Sequence, residues 1–180
     1  MKTEFWHQRW ENQEIGFHQE SFNKNLQRHW PSLQLAKHSK VLVPLCGKSL
    51  DMLYLAEQGH QVLGVELSEI AAQEFFAEQG LVPEIHKDDK FVIYQAEGIA
   101  IYCGDIFDLN KSLLSDVKAV FDRAAMIALP PEMRQRYSET LADTLPADCK
   151  TLLLTLEYPQ EETSPPPFSI SREMVLNSLK

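Results

Sequence analysis

The chain has 180 residues, of which 44% are hydrophobic and 24% are charged, and its formal net charge at pH 7 is -9. This length and composition are typical of one globular domain spanning residues 1–180. The negative charge argues against a nucleic-acid partner, and no apolar run approaches the ~20 residues that span a bilayer. The polar, charged N-terminus does not look like a signal peptide. We therefore expect a cytoplasmic protein with neither a nucleic-acid nor a membrane partner.

The cysteine and histidine patterns indicate neither a metal site nor a disulfide framework. The cysteines, at Cys46, Cys103 and Cys149, are widely spaced and form no CxxC pair. The histidines show no ligand spacing either. We therefore expect reduced thiols and no bound metal.

Predicted helices and strands alternate along most of the chain. In the aromatic-rich N-terminal stretch, the spacing of Phe22 and Leu26 predicts a helix that ends near Trp30. The predicted strands cover 41–45, 61–67, 91–94, 99–103, 119–122 and 151–158, and the later helices follow Gly47, span 69–78 after an N-cap at Ser68, and cover 132–145 and 171–180. This alternation predicts an α/β fold with a doubly wound, mostly parallel sheet.

The predicted topology brings several polar strand ends together. Ligands of such sheets bind outside the carboxyl ends of the strands, where residues 45–47, Glu66, 104–105 and 122–123 would converge. Glu66 ends the second strand about 20 residues after the Gly47 turn, which is where such sheets hold the hydroxyls of a ribose. The alternative for Glu66 is an ordinary surface carboxylate at a strand end.

Three nucleotide-type ligands compete for the Gly47 turn. A phosphate-binding P-loop, suggested by Gly47-Lys48-Ser49, also needs a glycine five positions earlier, where Leu42 stands. A dinucleotide-binding turn needs two further glycines, but Lys48, Ser49 and Leu50 follow. The pattern therefore favours a cofactor with a ribose and no phosphate.

S-adenosylmethionine satisfies this requirement best. The backbone at Leu45 and Gly47 would allow the close approach of the cofactor, and Glu66 would accept hydrogen bonds from both ribose hydroxyls. Asp105 and Ile106, after the next predicted strand, would frame the adenine.

Longer motifs resemble one enzyme family. The segments PLCGKS, GHQVLGVELSE, IYCGDIFDL, DRAA and PPPF together resemble the bacterial type of thiopurine S-methyltransferase, from Phe5 to about Phe168. The resemblance implies a Rossmann-like methyltransferase fold. It also implies methyl transfer from S-adenosylmethionine to sulfur, selenium or tellurium in small compounds such as thiopurines.

The resemblance also assigns roles to individual residues. Asp105 and Ile106 match the adenine-side turn of the family, and Phe17 matches a substrate-side aromatic residue. Positions that contact the cofactor in the family are occupied by Trp10, Leu45, Glu66 and Arg123. With these assignments, residues 1–30 are expected to form a helical lid over the site.

Arg123 is the predicted catalytic side chain. Its fixed positive charge would stabilise the thiolate of the acceptor or a ring nitrogen, so that it binds both cofactor and substrate. The alternative is a salt bridge to Asp122 or Asp105. Asp122 would orient Arg123, hold the ammonium group of the cofactor, or serve as a buried structural carboxylate.

The chain departs from the family at its C-terminal end. The family's sheet has seven strands with an antiparallel final pair, whereas this chain ends at Lys180, just after the fifth core strand. We therefore expect a truncated sheet that lacks the last two strands. Two functions stay open: an active methyltransferase, or a non-catalytic or truncated module that binds S-adenosylmethionine without turnover. We expect a monomer in either case.

Overall fold

The computed structural model describes residues 3–178 of the chain. The strands are β1 (Lys40–Pro44), β2 (Gln61–Glu66), β3 (Glu84–Lys87), β4 (Val92–Ala96), β5 (Ile99–Cys103), β6 (Val117–Asp122) and β7 (Lys150–Leu153). The α-helices are α1 (Thr3–Glu11), α2 (Lys24–His29), α3 (Asp51–Glu57), α4 (Glu69–Glu78), α5 (Lys111–Leu114), α6 (Ala125–Ala128), α7 (Pro131–Thr144) and α8 (Arg172–Ser178). Short 3-10 turns cover Trp30–Leu33, Ile106–Asp108 and Gln160–Glu162.

These strands form one sheet in the order β3-β4-β5-β2-β1-β6-β7. Strands β5, β2, β1, β6 and β7 run parallel to their neighbours in this order, while β3, β4 and β5 are paired antiparallel. The predicted doubly wound, mostly parallel α/β sheet is confirmed. The sheet has seven strands, one more than the six that the sequence predicted.

The strand that the sequence did not predict, β3, lies at one edge of the sheet. The two missing strands were expected beside β7, which lies at the other edge. Strand β3 pairs antiparallel with β4, and its side chains are all exposed, so it has no apolar alternation by which the sequence could reveal it. At the other edge, within residues 3–178, no strand pairs with the outer side of β7. The antiparallel final pair that the resemblance assigns to the family therefore has no counterpart among residues 3–178.

Two predicted elements differ from the structure. The strand predicted at 151–158 ends at Leu153, because its partner β6 ends at Asp122 and offers no further residue for pairing. The freed segment runs on irregularly after the Leu154 N–H donates to the Asp122 carbonyl at 2.8 Å. The predicted C-terminal helix begins at Arg172, and its last two residues lie outside the described residues.

Alternating side chains of the central strands fill two hydrophobic layers. On β1, Val41 and Val43 face the layer that includes Leu26 and Phe75, from α2 and α4. Leu42, between them, faces the layer beneath α5 and α7. None of the helices within residues 3–178 combines the length and apolar character needed to cross a bilayer. The two layers hold the carboxyl ends of β1, β2 and β6 at one edge of the sheet.

Close packing beneath this edge makes Gly64 a test of the fold. A methyl group at Gly64 would lie 2.7 Å from the Cys46 sulfur and 3.0 Å from the Met52 sulfur. Because such overpacking forces neighbours to shift, we expect Gly64→Ala to lower the free energy of unfolding by about 1–3 kcal/mol. Urea denaturation measures this change. Gly16→Ala is the control, since nothing lies within 4 Å of its added methyl group, and equal effects of the two substitutions would contradict the packing.

Candidate functional site

A cavity of about 590 Å³ opens at the carboxyl ends of β1, β2 and β6. One wall comes from the N-terminal segment, including Trp6 and Phe17, and the floor comes from the β1–α3 turn. The cavity brings together these sequence-predicted residues: Trp10, Phe17, Leu45, Gly47, Glu66 and Arg123. Six of the eight predicted site residues therefore share one space, and the other two, Asp105 and Ile106, lie in a second cavity.

Glu66 is a buried carboxylate held by backbone N–H groups. The Gly47 N–H donates to its Oε2 at 2.8 Å, and the Ser68 N–H donates to its Oε1 at 2.9 Å. Burial raises its pKa, while hydrogen bonds from Ser68, Gly47 and Leu67 act in the opposite direction. A carboxylate offers about four lone-pair sites, so each oxygen keeps capacity for a ligand hydroxyl. Glu66 is only 7% exposed and is not an ordinary surface carboxylate.

The β1–α3 turn takes an unusual backbone path. Leu45 and Gly47 have φ angles of 49° and 53°, in the left-handed region. A non-glycine residue rarely adopts this conformation outside sites where the surrounding structure enforces it. The indole of Trp10 covers the turn so closely that a Cβ on Gly47 would lie 3.1 Å from it. Both the φ angle and this contact favour glycine at position 47.

Asp105 and Ile106 line the second cavity, which has about 70 Å³. Asp105 caps the following 3-10 turn, since its Oδ1 accepts the Phe107 N–H at 2.9 Å, and Ile106 is buried. Leu45 and Glu66 line both cavities, so the two spaces adjoin at the end of β2. This arrangement suits a ligand with two parts joined at the ribose.

Arg123 pairs with a residue that sequence analysis missed. Its Nε lies 3.1 Å from Oδ2 of Asp51, whose side chain is 2% exposed. Asp51 also accepts the Asn23 N–H at 2.7 Å and the Ser49 hydroxyl at 3.2 Å. A carboxylate in the first turn of a helix is usually explained by the helix dipole, so nothing in the sequence marked Asp51. The sequence suggested Asp122 or Asp105 as an ion-pair partner of Arg123. The structure shows Asp51 in that position.

Asp122 belongs to a different network. Its Oδ2 accepts the Tyr137 hydroxyl at 2.7 Å, and its Oδ1 accepts the Ala125 N–H at 2.9 Å. Burial raises its pKa to about 6, against the lowering effect of these hydrogen bonds. Asp122 thus anchors α6 and α7 to the sheet, and within residues 3–178 the ion pair of Arg123 is formed with Asp51 and not with Asp122.

The aromatic wall of the main cavity contains Phe17, the predicted substrate-side residue. Phe17 is 44% exposed and packs edge-to-face with Trp6 and Trp10, at centroid distances of 5.9 and 5.6 Å. Arg9 and His18 line the same cavity and were not predicted as site residues, although His18 directly follows Phe17 in the sequence. Burial and the nearby Lys48 lower the pKa of His18. Within residues 3–178, no three His, Cys, Asp or Glu side chains cluster closely enough to hold a metal ion.

The residues present fit a ribose-bearing cofactor without phosphate. Glu66 lines both cavities and supplies carboxylate oxygens that can accept hydrogen bonds from ligand hydroxyls. The second cavity provides apolar walls at Ile106 and Leu129. The turn at Gly47 lacks the successive glycines that a pyrophosphate needs.

Solved structures share this fold. One is a TehB-like SAM-dependent methyltransferase from Corynebacterium glutamicum, with a TM-score of 0.61 and 18% identity over 98% of this chain and 80% of that chain. Another is the 1,6-didemethyltoxoflavin-N1-methyltransferase of Burkholderia thailandensis, with a TM-score of 0.62 and 15% identity over 87% of this chain and 62% of that chain. The fold is therefore that of the Rossmann-like S-adenosylmethionine-dependent methyltransferases.

Sequence comparison identifies the family within this class. The profile of the family "Thiopurine S-methyltransferase (TPMT)" matches residues 1–179. The thiopurine S-methyltransferases of Pseudomonas fluorescens and Xanthomonas axonopodis pv. citri are 52% and 54% identical to this chain, over 94% of it and 78% of each relative. The chain belongs to the thiopurine S-methyltransferase family, and its cofactor is S-adenosylmethionine.

The ion pair between the partly exposed Arg123 and the buried Asp51 leads to a prediction about stability. Asp51→Asn removes the charge that faces the Arg123 guanidinium, so we expect the free energy of unfolding to fall by about 1–3 kcal/mol. Urea denaturation provides the measurement. Asp116→Asn is the matched control, because Asp116 pairs with Lys40 at the surface and its loss should cost less than about 1 kcal/mol. Equal losses would show that the pair of Asp51 with Arg123 stabilises the fold no more than the surface pair of Asp116 with Lys40.

The raised pKa of Asp122 predicts that the stability of the protein depends on pH. Because its pKa in the folded protein, about 6, lies above its ordinary value of 3.8, the folded state binds this proton more tightly than the unfolded state. Its stabilising contribution is complete below about pH 4 and is lost as the pH rises through about 6. Asp122→Asn should remove this decline, as measured by urea denaturation across the range. Asp116→Asn should retain it, and parallel profiles for wild type and Asp122→Asn would refute the raised pKa.

Proposed function

We propose that the protein transfers the methyl group of S-adenosylmethionine to the sulfur of a small aromatic thiol of the thiopurine type. The observation that carries the proposal is the cavity of about 590 Å³ whose lining combines Glu66 and Arg123 with the aromatic side chains of Trp6 and Phe17. Two relatives that are 52% and 54% identical to this chain are named thiopurine S-methyltransferase, and these names support the same class of acceptor.

Residues at the carboxyl ends of β1, β2 and β5 would bind the cofactor. In this proposal Glu66 accepts the ribose hydroxyls, and the adenine occupies the second cavity between Asp105 and Ile106. The backbone at Leu45 and Gly47 approaches the methionyl part of the cofactor. Trp10, which covers Gly47, donates its indole N–H to the methionyl carboxylate or places its ring against the sulfonium.

Arg123 would act on the acceptor. When bound, S-adenosylmethionine supplies an electrophilic methyl group on a sulfonium that leaves as a neutral thioether. The protein therefore needs no oxyanion site, and an aromatic thiol is acidic enough to ionise near neutral pH. Asp51 engages Nε of Arg123, and the remaining donors of the guanidinium would stabilise the thiolate beside the methyl group. The aromatic wall excludes water from the reacting atoms.

The proposal includes selenium and tellurium acceptors and a closing lid. A selenium or tellurium nucleophile would use the same in-line geometry and needs no further catalytic group. Residues 1–30 would form the lid, as they already cover the turn through Trp10 and are tied to α4 by a 2.9 Å hydrogen bond from Gln13 to Glu74. We propose a cytoplasmic monomer.

A direct assay tests the acceptor. The purified protein is incubated with methyl-labelled S-adenosylmethionine and with a thiopurine, a thiophenol, selenite and tellurite in turn. Labelled thioether from the thiols supports the proposal, and labelled selenium or tellurium products extend it. Calorimetric binding of the cofactor with no labelled product from any acceptor would instead identify a module that binds without turnover.

Glu66 is the point test of the cofactor site. Glu66→Gln keeps one carbonyl oxygen but loses the charge and one acceptor, so we expect cofactor affinity to fall by about 1–3 kcal/mol. Calorimetry with S-adenosylhomocysteine measures the affinity, and circular dichroism confirms that the variant is folded. Glu97→Gln, in the exposed β4–β5 turn, should bind like the wild type. Unchanged affinity of Glu66→Gln would remove Glu66 from the site.

A further inference from the structure

The cations in the wall of the main cavity are not equally neutralised. Lys48, Arg123 and Arg9 all line the cavity. The ammonium of Lys48 contacts two glutamates of α4 at 2.8 and 2.7 Å, and Nε of Arg123 lies 3.1 Å from Asp51. Within residues 3–178, no carboxylate oxygen lies within 4.0 Å of the Arg9 guanidinium, since no ion pair involves it. Arg9 therefore carries the cavity's unneutralised positive charge.

The hydrogen-bonding capacity of Arg9 is also largely unused. Its Nη1 makes a long contact of 3.4 Å to the Glu14 carbonyl, and the Phe5 ring lies 4.8 Å from its central carbon. Its Nε is buried and has no acceptor in the described part of the chain. An unpaired donor on a charged group costs free energy until a ligand or a side chain supplies an acceptor.

The rest of the lining does not provide that acceptor. Glu66 is the one carboxylate among the described residues that line the cavity, and backbone N–H groups already hold its two oxygens. Burial and the nearby Lys48 lower the pKa of His18, which disfavours a second positive charge on this wall. The wall that contains Arg9 thus has a positive charge set among aromatic rings, with Trp6 one helical turn away.

We propose that Arg9 is a specificity-determining residue that binds a carboxylate on the methyl acceptor. The preferred acceptors are then aromatic thiols that carry a carboxylate, with the ring against Trp6 and Phe17. The planar guanidinium suits a carboxylate because it can donate two parallel hydrogen bonds. This inference rests on the proposed function, since it assumes that the cavity receives the acceptor. The methionyl carboxylate of the cofactor is the other possible source of the same chemistry, and the experiment separates the two.

The experiment compares matched acceptors. Methyl transfer is measured for para- and meta-mercaptobenzoate and for the corresponding neutral mercaptobenzamides, with wild type, Arg9→Met, Arg9→Lys and the exposed-surface control Arg28→Met. We expect Arg9→Met to raise KM for the better benzoate by roughly tenfold to a hundredfold with kcat unchanged, and to leave KM for the amide within about twofold. Arg9→Lys should restore part of the preference, because it keeps the charge but loses the planar fork.

Three results would decide against the inference or separate it from the proposed function. Equal changes in KM for benzoates and amides would overturn it. Weaker binding of S-adenosylmethionine by Arg9→Met, with the preference for benzoates retained, would overturn it by assigning Arg9 to the cofactor. If wild type methylates no thiol, the proposed function fails, and calorimetry with para-(methylthio)benzoate and its amide still tests Arg9. In that calorimetry, tighter binding of the benzoate than of the amide by wild type, abolished in Arg9→Met, supports the inference. Equal binding of the two ligands by wild type contradicts it.

Discussion

The site depends on one buried carboxylate at the end of a central parallel strand. Glu66 accepts one N–H from the β1–α3 turn and one from the start of its own following loop, which joins two strand ends through a single side chain. Burial of this group is costly, and the backbone donors offset the cost only in part, since its pKa stays raised. Ribose hydroxyls would add donors to a carboxylate that the fold has already positioned, so that binding requires little reorganisation.

The second constraint is the attachment of the N-terminal segment to this edge. Trp10 packs on Gly47, and the Asn23 N–H donates to Asp51, which also holds Arg123. The carboxylate of Asp51 therefore links the segment before β1, the turn after β1 and the end of β6. A displacement of the N-terminal segment would therefore change the position of Arg123, because both contact the carboxylate of Asp51. The cavity is thus built from the sheet edge and from a cover that contacts it at defined points.

Sequence analysis predicted the α/β sheet and the meeting of its polar strand ends, because both follow from strong local patterns. Alternating apolar strands, turn glycines and a strand-end carboxylate are visible in the order of residues, and Leu45, Gly47 and Glu66 lie together as predicted. It missed β3, whose exposed side chains show no alternation, and it extended β7 beyond the end of its partner. It also missed Asp51 and Arg9, because their importance comes from which charges are paired in three dimensions.

A structure of the protein with S-adenosylhomocysteine bound tests the central claim most directly. The quantity to measure is the distance from each Glu66 oxygen to the ribose hydroxyl oxygens. We predict that both hydroxyls lie within about 3.2 Å of the Glu66 carboxylate while the hydrogen bonds from Gly47 and Ser68 are retained. A ribose bound elsewhere in the cavity, or a Glu66 side chain displaced from Gly47 and Ser68, would contradict this account of the site.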